Sequence, residues 1–398
     1  MHFCPAMRTF EIPDKYKSQQ IAAIKDKRKA DDPRKQDYSP SRVDLGKLEL
    51  ILARHFGFCY GVENAIERAY KALAENPGKR ILLLSQMIHN PAVNKDLQDN
   101  GIEFIMDTEG KQFIPWEDIS SEDVVLIPAF GTTLAIEKIL EEKGIDAKTY
   151  NTTCPFVEKV WNRSKKLSQG DHTIIIHGKP SHEETRATFS HAAENGPAIV
   201  IKDMAEAQVL GKMMLADSSK DNFTVLFQDR ISEGFRYPQD LVKVGVVNQT
   251  TMLASDTQAI ADYFKTVMEQ KYGSETIKDH FADTRDTLCY ATNDNQTATL
   301  ELLKEQADFA LVVGGYNSSN TSHIVELCEE KFPTYFVNGP ECLSAESISH
   351  FDFRKKTNLT TENWLQKKGS KPVVILTSGA SCPDSLLEAV LNKLQSIL

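Results

Sequence analysis

HTIIIHGKPSHEET, residues 172–185, contains the whole building plan of the chain in one short stretch. The unbroken apolar run Ile174, Ile175 and Ile176 reads as a strand covered on both faces. Gly178 and Pro180 break it, and Glu183 and Glu184 suit the first turn of a helix, where acids complement the dipole. Strand, polar turn and helix make up the unit of an α/β fold. The same texture extends in both directions, in LELILA (48–53), RILLLSQ (80–86), DVVLIPAF (123–130), AIVIKD (198–203), VKVGVVNQ (242–249), FALVVGG (309–315), TYFVNG (334–339) and PVVILTSG (372–379). Helical-period segments separate these runs. After Cys59, for example, Val62, Ala65, Ile66, Ala69, Tyr70 and Leu73 share one face. The expectation is an α/β protein with largely buried parallel strands.

The layout repeats loosely. It predicts α/β domains over 60–153, 154–285 and 286–398, with 47–59 returning to the last, after an N-terminal extension over 1–46 that is charged, broken by proline and partly ordered. The segments near 206–241 and 340–371 read as polar, irregular surface insertions with no functional account.

Bulk composition narrows the function. The 398 residues are 41% hydrophobic and 26% charged, with a net charge of −10. That balance argues against a general nucleic-acid or membrane-surface binder. No apolar run is long enough to span a bilayer. Seven scattered cysteines suggest a reducing compartment. The N-terminus has no signal-peptide core, and its many acids are unlike a transit peptide, so the expected location is cytoplasmic.

Three of the cysteines stand in matching contexts: G-F-C-Y-G-V at Cys59, T-T-C-P-F-V at Cys154 and T-L-C-Y-A-T at Cys289. Each closes a strand-like or tight stretch and opens a helical one. N–H groups and the positive dipole end there favour thiolate, the metal-binding form. Three such thiols can share one iron–sulfur cluster and leave one iron open to substrate. Isolated cysteines are more often buried structural thiols; the shared setting is what raises these three.

The strand ends carry small donors and imidazoles: His89 and Asn90; His182 with Glu184; Gln249 with Thr250; Ser318, Ser319 and Asn320; Ser381. Ligands of open α/β sheets sit beyond such ends, and donors leading into helices suit phosphate. Any one of these turns alone is better read as ordinary helix capping. A buried Glu184 would be a protonated acid able to serve a leaving group. Neither a Walker lysine motif nor a dinucleotide glycine fingerprint occurs, so ATP hydrolysis and nicotinamide binding by the usual fingerprint are disfavoured.

Taken in order, G-F-C-x-G-V-x-x-A-I, T-C-P-x-V-x-K-V, H-x-E, Q-T-T, C-Y-A-T-x-x-x-Q, N-S-S-N and G-A-S-x-P-D resemble the 4-hydroxy-3-methylbut-2-enyl diphosphate reductase family over residues 48–398, in its longer plant and cyanobacterial branch. The resemblance implies three similar α/β domains in a pseudo-threefold trefoil around one central 4Fe–4S cluster held by Cys59, Cys154 and Cys289. It implies an allylic diphosphate substrate held by His89, His182, Thr250, Ser318, Ser319, Asn320 and Ser381, with Glu184 as proton donor and Thr250 as its relay. It further implies reductive removal of the C4 hydroxyl, giving isopentenyl and dimethylallyl diphosphate, with reduced ferredoxin or flavodoxin as electron source. This chain departs from the pattern at Phe130, where many members carry a histidine that contacts the diphosphate, and Cys382 reads as a spare thiol. Two other readings stay open: an open-iron hydro-lyase needing no electrons, and a zinc-bearing sensor of a phosphate ligand.

Overall fold

The computed structural model describes residues 9–34, 36–216, 220–284, 287–365 and 371–398. Each of the nine apolar runs forms a strand, and together they build three sheets whose central pairings are all parallel. The chain divides into two compact units.

The first unit combines the chain up to Glu75 with Ile88–Asp99 and Asn293–Leu398. Its sheet runs Ser41–Asp44, Glu49–Leu52, Val373–Ser378, Phe309–Val313, Thr334–Val337. Only the Ser41–Asp44 edge pairs antiparallel. Glu49–Leu52 lies alongside Val373–Ser378, with Leu50 opposite Val374 and Ile51 opposite Ile375. Leu50, Ile51, Leu52, Val312 and Ile375 are fully buried, and each such side chain contributes about 2 kcal/mol. The strand Ser41–Asp44 escapes the sequence reading because SRVD is a polar edge strand with one face outward.

The described part of the N-terminal extension carries secondary structure and packs on the core of this unit. Ser18 caps the helix Gln19–Asp31, its Oγ accepting from the Ile21 N–H at 3.0 Å. Ile21 is fully buried in the core of this unit, and Phe10 and Tyr16 are buried as well. Three well-spaced apolar side chains anchor a segment whose average composition is polar.

The second unit comprises Asn76–Met87 and Asn100–Thr292. It holds a three-stranded parallel sheet ordered Ile102–Phe104, Ile81–Leu83, Val124–Leu126. It also holds a parallel sheet ordered Ala198–Ile201, Thr173–His177, Val244–Asn248, Phe281–Ala282. Every residue of Thr173–His177 and Val244–Asn248 is buried, as the near-continuous apolar runs require.

Both supposed irregular insertions carry structure of their own. Met204–Leu215 and Lys220–Phe227 are helices, and Phe223 stacks on Tyr237 at 4.3 Å within an apolar core that includes Phe227 and Leu241. Ser347–Asp352 and Thr357–Glu362 form an antiparallel hairpin, closed by buried Trp364, whose Nε1 donates to Ser344 O at 2.9 Å. Aromatics scattered among polar residues show no period in sequence, but they meet in space.

Candidate active site

In the second unit a cluster of polar side chains around Glu184 forms where the strands Thr173–His177 and Val244–Asn248 end side by side. The His177 carbonyl accepts from Gln249 N at 2.8 Å. The Gln249 side chain reaches back, its Oε1 accepting from Lys179 N at 3.2 Å and from Thr185 Oγ1 at 3.1 Å. That fixes the turn leading into the helix Glu183–Ala193. His182 caps this helix, its Nδ1 accepting from Glu184 N at 3.2 Å. Glu184, in the first turn, is only 1% exposed, and its Oε1 accepts from Thr250 N at 2.5 Å. Burial pushes its carboxyl up to about 7, against the pull of the Thr250 N–H and hydroxyl. Near neutral pH this group is therefore both acid and base. Glu183 turns away and bonds Ser85.

Cys289 is linked to this acid through Thr250, and Cys154 more remotely through Ala129, Phe130 and His182. Cys289 N donates to Thr250 O at 3.4 Å, and Cys289 Sγ accepts from Thr292 N at 3.3 Å. Cys154 caps Pro155–Ser168, and its N–H bonds Ala129 O at 2.9 Å. Next to Ala129, Phe130 meets His182 edge-on, with ring centroids 5.7 Å apart. Phe156 and Tyr290, just past the two cysteines, pack at 5.0 Å. Thus Cys154, His182, Glu184, Thr250 and Cys289 belong to one continuous network. Where many members of the resembling family place a donor, Phe130 supplies an aromatic wall.

The first unit gathers the remaining candidates around Ala380. Its carbonyl accepts from Cys59 N at 3.3 Å, and its N–H donates to Asn320 Oδ1 at 2.9 Å. The next residue, Ser381, donates from Oγ to His89 O at 3.1 Å. Ser318 caps the helix Ser319–Glu329, its Oγ accepting from Thr321 N at 3.2 Å. Ser318, Ser319 and Asn320 are all buried, and among the described residues the Asn320 Nδ2 finds no hydrogen-bond partner. Such an orphaned donor beside a helix N-terminus suits an anion.

Gly315 is a residue the sequence reading gave no role. A Cβ there would lie far inside contact distance of the His89 carbonyl, so only glycine lets the two turns close up. Gly315→Ala is expected to cost about 1–3 kcal/mol of stability through overpacking. Displacing His89, it should also raise KM for the substrate more than it lowers kcat; an unchanged KM would detach His89 from binding.

Cys59 corrects one expectation. The Gly61 and Val62 N–H groups do pull its thiol toward thiolate, but burial outweighs them and the net shift is upward. Cys328 and Cys382 are buried thiols pushed up to about 12, as inert packing groups would be. Cys4 lies outside the described residues. Among those described, no three His, Cys, Asp or Glu side chains group closely enough to hold a single metal ion.

The LytB protein family profile matches residues 50–395. The 4-hydroxy-3-methylbut-2-enyl diphosphate reductase of Nostoc sp. is 38% identical over 386 residues, covering 96% of this chain and 90% of the relative. The enzyme of that name from Microcystis aeruginosa is 39% identical over 355 residues, covering 89% and 86%. The solved E-1-hydroxy-2-methyl-but-2-enyl-4-diphosphate reductase of Plasmodium falciparum shares the fold with a TM-score of 0.63 at 22% identity, over 88% of each chain. A second solved structure, of an (E)-4-hydroxy-3-methyl-but-2-enyl diphosphate reductase, aligns with a TM-score of 0.51 at 24% identity, over 87% of this chain and 99% of the other.

Proposed function

The chain belongs to the LytB protein family, and from that premise we propose that its two networks serve one reaction, with Glu184 delivering the proton that releases the substrate oxygen. It is an oxidoreductase acting on 4-hydroxy-3-methylbut-2-enyl diphosphate at the end of the non-mevalonate isoprenoid route. Two electrons and two protons convert the allylic C–OH into C–H and release water. The double bond remains in place or shifts, yielding dimethylallyl or isopentenyl diphosphate.

The family's enzymes are iron–sulfur enzymes, and Cys59, Cys154 and Cys289 are the ligands proposed for one 4Fe–4S cluster. The donor set fits: three soft thiols, each at the start of a helix. When bound, such a cluster supplies an open iron as Lewis acid and a path for single electrons. The chain's own groups do the rest. Ser318, Ser319, Asn320, Ser381 and His89 hold the diphosphate, and the orphaned Asn320 Nδ2 supports that role. His182 caps the helix that aims Glu184. Glu184 protonates the leaving oxygen, with the Thr250 hydroxyl as relay. The observation carrying the reading is a buried acid poised near neutrality and bonded to the residue whose carbonyl holds Cys289.

Reduced ferredoxin or flavodoxin is the proposed electron source. Among the described residues no helix is long and apolar enough to cross a membrane, and none of the six described cysteines is in a disulfide. A reducing, cytoplasmic setting is proposed with this electron source. The test is anaerobic purification with iron and sulfide analysis, then assay on the hydroxylated diphosphate with and without a chemical reductant. Brown protein and reductant-dependent turnover are expected. Turnover without reductant would leave a hydro-lyase, and colourless zinc protein a sensor.

A further inference from the structure

The loop before Cys59 is gripped by a part of the chain that precedes the family profile. Lys25 sits on the helix Gln19–Asp31, whereas the profile match begins at residue 50. Its Nζ donates to both carboxylate oxygens of Asp384, at 2.7 and 2.9 Å, and to the Phe56 carbonyl at 3.3 Å. The same ammonium lies 4.4 Å from the Phe56 ring centroid, a cation–π contact. Gly57 has φ +81°, and a Cβ there would meet Asp384 Oδ1 at 2.7 Å and Lys25 Nζ at 3.0 Å. Phe58 packs edge-on against Tyr16, another residue of the N-terminal segment, at 5.8 Å. Cys59 itself is tied from the other side by its N–H to Ala380 O. Phe56, Gly57, Phe58 and Cys59 thus each meet a fixed partner, and one cation joins three of the contacts.

We propose that Lys25 and Asp384 are a positioning pair for Cys59, holding its loop in the ligating conformation and slowing escape of iron from that thiol. The inference rests on the cluster reading above. An outer group that orients a ligand is typically worth about 10–100-fold in metal retention. The pair touches neither substrate nor iron, so its effect should appear in retention and loop order before it appears in chemistry.

The test compares wild type, Lys25→Met, Lys25→Arg and Arg28→Met. The last breaks a separate N-terminal pair, Arg28 with Asp37 at 2.9 Å. Each protein is loaded anaerobically with iron and sulfide, and iron release to a ferrous chelator is timed. Lys25→Met is expected to release iron about tenfold faster, Lys25→Arg to stay within about twofold because a guanidinium can still bridge Asp384 and cover Phe56, and Arg28→Met to match wild type. In a second arm the metal-free proteins are alkylated and read peptide by peptide; Lys25→Met should speed alkylation of Cys59 and leave Cys154 and Cys289 unchanged. Should Lys25→Met fail to fold, Asp384→Asn carries both arms. Release and Cys59 alkylation at wild-type rates would overturn the proposal, as would equal acceleration in Arg28→Met, which signals general loosening. If wild type binds no iron, the cluster reading fails on its own, while the alkylation arm still decides whether the pair orders the loop.

Discussion

Serine at Cys289 is expected to give a colourless protein with almost no iron and no measurable reductase turnover. A hydroxyl is harder than a thiol and remains protonated at neutral pH, so it replaces neither the softness nor the charge of a thiolate. The fold should be unaffected. The bonds that Cys289 Sγ makes to Thr292 N and, at 3.0 Å, to Thr292 Oγ1 are available to a serine oxygen, and serine caps helices well. The metal-free variant should therefore unfold with the same midpoint as metal-free wild type. Cys154→Ser should behave alike. Cys382→Ala should retain its iron, since that thiol is buried packing. Iron and sulfide analysis with visible spectra checks all three. A brown, active Cys289→Ser protein would remove Cys289 from the ligand set.

Glu184→Gln should do the opposite, keeping iron and losing turnover by about 10²- to 10⁴-fold, the usual worth of a placed general acid. Gln retains an oxygen that can accept from Thr250 N, so binding survives. Wild-type kcat should fall as pH rises past the carboxyl's pKa of about 7, because the protonated form is the competent one; the residual rate of the Glu184→Gln variant should be flat. The same shift predicts an effect on stability. Folding raises this carboxyl from an ordinary 4.5 to about 7, so between those values the folded chain holds a proton that the unfolded chain has lost. Stability thus falls as pH rises across that window, and above it the wild type bears a constant cost. Glu184→Gln escapes the cost and should be more stable by about 3 kcal/mol at pH 8, with the gain vanishing below about pH 4.5. Denaturant melts at both pH values check the sign. Near-normal turnover in the variant would exclude Glu184 as proton source.

The parallel strands were legible because burial on both faces leaves uninterrupted runs such as Ile174–Ile176 and Val312–Val313, which need no partner to be recognised. Edge and hairpin strands lacked that mark: SRVD at 41–44, IEF at 102–104 and the two strands of the 347–362 hairpin are polar, short or alternating. Phe10, Tyr16 and Ile21 were unreadable as anchors because their isolation in a charged segment gives no period. In the site, residue types at turns were visible in HEET and NQTT, but their division of labour was not. Glu183 and Glu184 are adjacent acids in one helical turn, yet one bonds Ser85 and the other Thr250. Glu184 is driven toward neutrality by what packs over it, a tertiary fact with no local signature. Gly315 was likewise silent, since the group that forbids a side chain there belongs to His89.

The pairing of Glu49–Leu52 with Val373–Ser378 has a consequence for how the protein is made. The parallel neighbour Val373–Ser378 is translated long after Glu49–Leu52, so a mostly apolar strand must wait with one edge bare while the whole intervening chain is made. The second unit, drawn largely from one continuous stretch, has no such delay. Nascent chains arrested shortly before residue 373 would therefore carry a finished half and an exposed β-edge, a substrate for chaperones and a starting point for aggregation.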